Sequence, residues 1–316
     1  MTKFYAMSIK LRLLLLYLKY FTKDNLSIPP NKIREDNAKR QPTFHKILEF
    51  SPEELHEVRN EWIVMRDEQS IPVRTYRPST QKNLPLIIYF HGGGFVLRNL
   101  DSHDRVCRRL SKMNNAVVVS VGYRLAPEYK FPTPHQDCYD ATIWAISNTS
   151  NLGIDKNKVT VMGDSAGANL ATVVSLIARD NNGPKISNQV LIYPCCDSSK
   201  TYDTEIEYSE GYFLTKKRMD WFTDHYVRKP EDVFEPFVSP VLMDDLSNLP
   251  RTFIMTAEYD PLKGEGLAYS NKLTAANNDV KYLEYSGVIH GFFSMPKISK
   301  ECMEANQDIK SFLNYA

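Results

Sequence analysis

Paired cysteine motifs, an excess of basic charge and a membrane-length apolar run are all missing from this chain of 316 residues. Lys and Arg total 39 against 38 for Asp and Glu, so a net charge of +1 gives no general attraction to nucleic acid and predicts no such partner. The five cysteines form no C-x-x-C pair, which favours a reducing compartment over secretion. They are Cys107, Cys138, Cys195, Cys196 and Cys302. We therefore expect a cytoplasmic location.

The apolar run near the amino terminus is short. Residues 13–18 lie between Lys10, Arg12 and Lys19, far below the roughly 20 residues that a spanning helix needs. No signal-peptide pattern accompanies the run. We interpret residues 1–55 as a helical cap segment that packs its leucines on the body of the protein. The alternative is a basic amphipathic helix that makes contact with a membrane surface.

Beyond residue 60, short apolar runs alternate with longer mixed segments, which is the pattern of a sheet wound with helices. Continuous apolar runs such as 84–90 predict strands buried on both faces. Strands are predicted at 71–76, 84–90, 116–121, 159–162, 189–193, 252–256 and 280–285. Helices are predicted at 102–113, 134–148, 166–179, 264–276 and 300–315. The fold class is therefore α/β, with a parallel sheet and right-handed crossovers.

Residues 198–228 break this alternation with a high density of aromatic side chains. Such density usually reflects plain packing, but here it also suits a lid whose apolar underside covers a ligand cleft. We expect a catalytic domain at residues 56–316 that carries a cap insertion at about 198–228.

The strongest local motif is G-D-S-A-G at residues 163–167, between the predicted strand 159–162 and the predicted helix 166–179. A nucleophile elbow needs this strand–turn–helix setting. Flanking glycines permit the sharp turn that exposes the serine, and the helix start presents N–H groups and a partial positive charge. The motif predicts Ser165 as the nucleophile, with an ordinary serine helix cap as the alternative.

Three consecutive glycines follow the predicted strand 84–90, in the sequence H-G-G-G-F at residues 91–95. Bare backbone at a strand end is costly unless something uses it. An oxyanion hole is such a use, because fixed N–H donors stabilise the charge that acyl transfer develops on a carbonyl oxygen. The loop is therefore predicted to supply these donors rather than to serve as a flexible turn.

A serine nucleophile needs an imidazole that takes its proton and a carboxylate that orients the imidazole. His290 lies just after the last predicted strand, where the base belongs when the chain order is Ser, acid, His. Asp260 follows the predicted strand 252–256, and the proline after it stiffens the loop. Glu258 is the competing acid. Histidines in the glycine loop and in the predicted helices are expected to be structural.

Five segments in register make the chain resemble the hormone-sensitive-lipase family of α/β-hydrolases, which includes bacterial esterases, plant carboxylesterases and arylacetamide deacetylase. The segments span about residues 85–293 and are 91–95, 123–128, 163–167, 260–262 and 290–292. The resemblance implies the α/β-hydrolase fold, an eight-stranded and mostly parallel sheet with a helical cap. Arg124 and Glu128 of the second segment are interpreted as structural ion-pair partners.

The resemblance also implies serine carboxylic-ester hydrolysis through an acyl-enzyme, with no metal or organic cofactor. The oxyanion donors would be backbone N–H groups of Gly92, Gly93, Gly94 and Ala166. A small-molecule ester with a short or medium acyl chain would enter under the cap. Its apolar part would contact Phe95, Phe213 and Trp221.

Two other functions stay open at this stage. A Ser-His-Asp triad serves amide as well as ester bonds, so an amide deacetylase of the same family is one alternative. A non-catalytic small-molecule receptor, like the plant gibberellin receptor that is similar to this family, is the other. The presence of His290 opposes the receptor, since loss of the base would mark it. The sequence leaves the natural substrate and the oligomeric state open.

Overall fold

An eight-stranded sheet organises the computed structural model, which describes residues 7–21 and 26–315. Residues 1–6 and 22–25 of the predicted amino-terminal segment lie outside the described residues. The strands are β1 (Glu57–Val64), β2 (Ser70–Arg77), β3 (Leu84–Phe90), β4 (Val117–Val121), β5 (Ile154–Asp164), β6 (Asn188–Ile192), β7 (Arg251–Tyr259) and β8 (Val280–Ile289). Their spatial order is β1-β2-β4-β3-β5-β6-β7-β8. The pairs β1–β2 and β2–β4 are antiparallel and every other pair is parallel.

Helices connect the strands and extend the chain at both ends. They are α1 (Ile9–Phe21), α2 (Pro30–Leu48), α3 (Asp104–Asn114), α4 (Thr133–Ser147), α5 (Thr149–Leu152), α6 (Ala166–Asp180), α7 (Asp203–Glu207), α8 (Lys216–Tyr226), α9 (Lys263–Ala275) and α10 (Glu301–Leu313). No helix in residues 7–21 and 26–315 has both the length and the apolar character needed to cross a membrane.

The side chains of β3 show how the sheet is covered on two faces. Leu86, Ile88 and Phe90 belong to a core cluster shared with residues of α4, α6 and α9. Ile87 and Tyr89, which alternate with them, belong to a second cluster shared with α3 and α10. Because successive side chains of a strand point to opposite faces, every residue of β3 is buried. This confirms the inference drawn from the continuous apolar run.

The mostly parallel sheet and the seven strands predicted from pattern are confirmed, and the eighth is β1 at the edge of the sheet. The pattern missed β1 because this edge strand pairs only with β2 and exposes most of its residues. Trp62 and Val64 of β1 are both exposed, at 72% and 69%. The strand therefore shows neither a buried run nor a regular alternation.

The amino-terminal helices and the insert lie over one end of the sheet, where they border a common cavity. Leu11 and Leu15 of α1 are buried against Tyr208, Tyr259 and Ile289, so one stripe of the leucine run packs as expected. Leu13 and Leu16, on the same helix, are exposed instead. The insert supplies α7 and α8. These contacts fix α1 and the insert to the end of the sheet that borders the cavity.

Candidate active site

Ser165 lies between the end of β5 and the start of α6, on a backbone with φ 56° and ψ −122°. Gly163 and Gly167 are required because neighbouring backbone lies too close for a side chain at either position. A Cβ on Gly167 would lie 1.9 Å from the carbonyl oxygen of Phe90, and one on Gly163 would lie 2.3 Å from the backbone of Gly167. The elbow therefore packs directly against the end of β3, and only glycine fits at these two positions.

Positive φ angles at residues other than glycine and asparagine concentrate around this serine. In the described part of the chain, apart from Glu68, they occur at Phe95, Arg98, Ser165, Tyr193 and Phe213. These five residues line one cavity. A left-handed backbone costs an ordinary L-residue roughly 1–2 kcal/mol, and such conformations cluster at functional sites. The distribution marks the cavity as the functional region.

The cavity has a volume of about 1580 Å³ and brings together most of the side chains that the sequence selected. Ser165, His290 and the glycine loop form its floor, while residues of α1, α2 and α8 form its walls. Apolar contributions come from Leu14, Leu15, Leu18, Phe44, Leu48, Met219 and Phe222. Polar and charged side chains contribute to the lining as well, and the cavity is large enough to hold a small-molecule ligand.

His290 and Asp260 form a buried pair beside this floor. The Nδ1 atom of His290 lies 2.7 Å from Oδ2 of Asp260, and the aspartate side chain is fully buried. The backbone N–H of Leu262 donates to Oδ1 of Asp260 at 2.9 Å, which fixes the carboxylate. With Nδ1 donating to Asp260, Nε2 is the ring nitrogen left with a lone pair. This is the tautomer that a general base needs.

The competing acid, Glu258, has a different partner. Its Oε2 accepts a 2.7 Å hydrogen bond from the backbone N–H of Gly287, in the segment that leads to His290. Glu258 therefore anchors the main chain of β8, whereas Asp260 contacts the imidazole.

Asp164, the residue before the serine, anchors the glycine loop. Its Oδ1 accepts from the backbone N–H of Gly92 at 2.9 Å and from the hydroxyl of Tyr89 at 2.8 Å, and it lies 3.2 Å from Nε2 of His103. Burial opposes ionisation of this carboxyl, but His103 and the donated hydrogen bonds outweigh it and lower the pKa of Asp164. Gly92 was predicted as an oxyanion donor, and this was wrong because its N–H is already donated to Asp164.

The other three predicted donors differ from Gly92. The N–H groups of Gly93, Gly94 and Ala166 have no acceptor among the residues that the structure describes. All three residues line the cavity with Ser165. Gly93 and Gly94 have φ of 122° and 62°, and a Cβ on Gly94 would lie 2.2 Å from the ring of Phe222. The loop therefore offers unpaired backbone donors beside the serine.

Two of the three aromatic residues predicted to bind substrate line the cavity. Phe95 does so while stacked on Tyr226 at a centroid distance of 3.9 Å. Phe213 lies beside Gly291, which follows the catalytic histidine candidate. The assignment of Trp221 was wrong, because its side chain is buried and its Nε1 donates to the carbonyl oxygen of Leu26 at 2.9 Å. The next residue of α8, Phe222, lines the cavity in its place.

Arg34 of α2 is a contributor that sequence reasoning missed. Its guanidinium contacts Glu128 at 2.8 Å and donates to the carbonyl oxygens of Val96 and Ala126. It thereby ties α2 to the segment that follows the glycine loop. A single arginine in a polar helix gives no sequence signal for this role, although the interpretation of Glu128 as an ion-pair partner is confirmed.

Arg124 is likewise a structural partner, as its sequence context suggested. It contacts the fully buried Asp137 at 2.6 Å and the exposed Asp67 at 2.7 Å. Within the described ranges, no group of three or more His, Cys, Asp or Glu side chains is arranged to hold a metal ion.

Comparisons with known proteins agree with this geometry. A family model described as the alpha/beta hydrolase fold matches residues 87–294. An arylesterase of Saccharolobus solfataricus is 36% identical over 283 residues, which are 89% of this chain and 91% of the relative. An ethyl acetate hydrolase of Pseudomonas putida is 34% identical over 284 residues, 88% of this chain and 89% of the relative. The solved structure of a hyperthermophilic esterase from the archaeon Pyrobaculum calidifontis has a TM-score of 0.93 at 40% identity and covers 98% of each chain.

The fold, the serine at the strand end and these relatives define the class of protein as a carboxylic-ester hydrolase. The chain belongs to the hormone-sensitive-lipase family of α/β-hydrolases.

Proposed function

We propose that the chain hydrolyses small-molecule carboxylic esters with Ser165 as nucleophile, His290 as general base and Asp260 as the orienting acid. The observation that carries this assignment is the 2.7 Å contact of His290 Nδ1 with buried Asp260, next to the cavity that Ser165 shares with His290. Ser165 Oγ attacks the ester carbonyl while Nε2 of His290 takes its proton. The same proton then goes to the departing alcohol, which leaves an acyl-enzyme. Water repeats the sequence and releases the acid.

The oxyanion of each tetrahedral intermediate is stabilised by the N–H groups of Gly93, Gly94 and Ala166. The support for this assignment is that these groups lack protein acceptors in the described chain and line the cavity with Ser165. The start of α6 adds a partial positive charge to the same region. Removing one donor of such a hole typically costs a factor of about 10² to 10³ in kcat.

The amino-terminal segment and the insert act together as a cap over the site. α1, α2 and α8 all contribute to the cavity wall, and Arg34 fastens α2 to the loop that follows the glycines. The volume of about 1580 Å³ exceeds the roughly 300–1,000 Å³ of common ligand pockets. The preference for short and medium acyl chains is inferred instead from the aromatic residues Phe213 and Phe222, which line the cavity from the cap side.

A fluorophosphonate probe tests the nucleophile directly. Labelling of folded protein is expected at Ser165, and Ser165→Ala is expected to abolish both labelling and ester turnover. Ser198→Ala is the matched control because Ser198 lines the same cavity and has no assigned role. Labelling at another serine, or turnover by Ser165→Ala close to that of the parent, would refute the assignment.

A series of p-nitrophenyl esters of increasing acyl length tests the substrate range. We expect kcat/KM to reach its maximum at a short or medium chain and to fall for long chains. A maximum beyond twelve carbons would contradict the proposed acyl range while leaving the triad untouched. Anilides of the same acids, tested in parallel, measure the preference for esters over amides.

We place the protein in the cytoplasm, because all five cysteines are free thiols and reducing compartments preserve them. A membrane surface there is a further candidate partner. α1 contains Lys10, Arg12 and Lys19 and no acidic residue, and its apolar residues Leu13 and Leu16 are exposed. Flotation with anionic vesicles tests this contact. Loss of flotation in Leu13→Gln/Leu16→Gln would support it, and no flotation of the parent protein would exclude it.

A further inference from the structure

Arg98 is a cation of the active-site cavity for which the structure supplies no counter-ion. It lines the cavity, and the residue is exposed. The charged and titratable groups that act on its guanidinium are Arg218, Asp164 and Tyr193, which line the same cavity. Within residues 7–21 and 26–315 it forms no ion pair, no side-chain hydrogen bond and no contact with an aromatic face. Arg34, which lines the same cavity, is by contrast paired with Glu128. An unpaired guanidinium facing a ligand cleft is available to a ligand.

The backbone of Arg98 is held in a conformation that favours glycine. Its φ is +76°, in the left-handed region, where an ordinary residue is disfavoured by roughly 1–2 kcal/mol. Glycine would remove that penalty. In this conformation the side chain of Arg98 lies alongside the glycine loop, since a Cβ on Gly93 would lie 2.8 Å from Cγ of Arg98. Strained residues persist where the strain has a use.

The electrostatics of the position favour an incoming anion. Displacement of water by the cavity walls and the nearby guanidinium of Arg218 both lower the pKa of Arg98. The carboxylate of Asp164 acts in the opposite direction, but it is occupied by Tyr89, Gly92 and His103. A guanidinium remains protonated under such conditions. Its five donors form a planar fork that matches a carboxylate in two parallel hydrogen bonds.

We infer that Arg98 binds an anionic group of the substrate, so that the enzyme prefers esters that carry a free carboxylate a few bonds from the scissile carbonyl. This inference rests on the proposed ester hydrolysis and specifies its substrate class. Half-esters of dicarboxylic acids carry such a carboxylate on the acyl side. Acyl esters of hydroxybenzoic acids carry one on the alcohol side.

The test compares matched anionic and neutral esters in the parent protein and in Arg98→Met. Monoethyl glutarate is paired with ethyl pentanoate, and 4-acetoxybenzoate is paired with methyl 4-acetoxybenzoate. The readout is the ratio of kcat/KM for the anionic ester to that for the neutral ester. In at least one pair, Arg98→Met is expected to lower this ratio by about tenfold or more, the worth of a hydrogen bond between charged groups.

Two further variants keep the result interpretable. Arg40→Met removes an equal charge from the cavity wall on α2 and is expected to change the ratio less than threefold. Arg98→Gly suits the left-handed backbone, so it should fold and lose the same preference as Arg98→Met. A ratio that stays unchanged in both Arg98 variants, as it does when the anionic and neutral esters lose activity equally, would overturn the inference. If the parent protein hydrolyses p-nitrophenyl butyrate but none of the four esters, the inference fails. If it hydrolyses neither, the proposed function itself fails instead.

Discussion

Replacing Asp260 by Asn tests the tautomer argument more sharply than removing the side chain. Asp260 accepts two hydrogen bonds, from the N–H of Leu262 at 2.9 Å and from Nδ1 of His290 at 2.7 Å. Asparagine has one acceptor and one donor group in the same shape. If its oxygen takes the Leu262 N–H, its amide faces His290, and Nδ1 must then accept. The ring proton moves to Nε2, and the base is lost.

The expected loss follows from that switch. In the Ser-His-Asp template this substitution lowers kcat by a factor of about 10⁴, which is roughly 5 kcal/mol of transition-state stabilisation. Stability should change much less, by about 1 kcal/mol, because each hydrogen bond is remade and only the charge assistance is lost. Steady-state kinetics on p-nitrophenyl butyrate and urea unfolding measure the two effects.

Glu258→Gln is the matched control for Asp260→Asn. It makes the same change of charge two residues away, and its amide oxygen still accepts from the N–H of Gly287, which Glu258 holds at 2.7 Å. We expect less than a fivefold change in kcat. If Asp260→Asn keeps kcat within tenfold of the parent, or if Glu258→Gln loses as much activity, Asp260 is not the orienting acid.

Three further predictions concern residues that line the same cavity as Ser165. Gly94 has a φ of +62°, and Gly94→Ala places a Cβ 2.2 Å from the ring of Phe222, so kcat/KM should fall more than tenfold. The double variant with Phe222→Ala should recover part of this loss, and no recovery would contradict the steric cause. The pKa of Asp164 is lowered from 3.8 in the folded protein. The ionised carboxylate therefore stabilises the folded state above pH 3.8, and this stabilisation is lost as the pH falls through the folded-state pKa. Urea unfolding of Asp164→Asn should therefore show a deficit at pH 7 that shrinks below pH 3.8, and a constant deficit would contradict it. Burial raises the pKa of Glu265 well above 4.5, so the contribution of this group to stability falls as the pH rises above 4.5. The stability of Glu265→Gln relative to the parent in urea unfolding should therefore increase from pH 5 to pH 8, and a flat difference would refute this.

The aromatic residues of the insert show where a residue pattern stops being informative. Trp221 and Phe222 are neighbours of similar character in α8, and the sequence offers no reason to prefer one. In a helix, consecutive side chains point about 100° apart. The packing of α8 therefore decides that Trp221 faces the carbonyl of Leu26 while Phe222 faces the cavity and Gly94.

The glycine loop shows the same limit at a finer scale. Three adjacent glycines look equivalent in the sequence, yet the carboxylate of Asp164 accepts from the N–H of Gly92. The N–H groups of Gly93 and Gly94 have no acceptor in the part of the chain that the structure describes. Gly92 is 72 positions from Asp164 in the chain. Only the pairing of β3 with β5 brings them together.

The sequence by itself determined the sheet strands with continuous apolar runs, the elbow around Ser165 and the Ser, Asp, His order, because each of these is written in a few adjacent residues. The sequence favoured Asp260, but it took the tertiary structure to show that Glu258 contacts the N–H of Gly287 and not His290. The tertiary structure also showed that Arg98 lines the cavity without a counter-ion among the described residues. Such choices depend on which side chains from distant segments occupy the same space, and no local pattern encodes that.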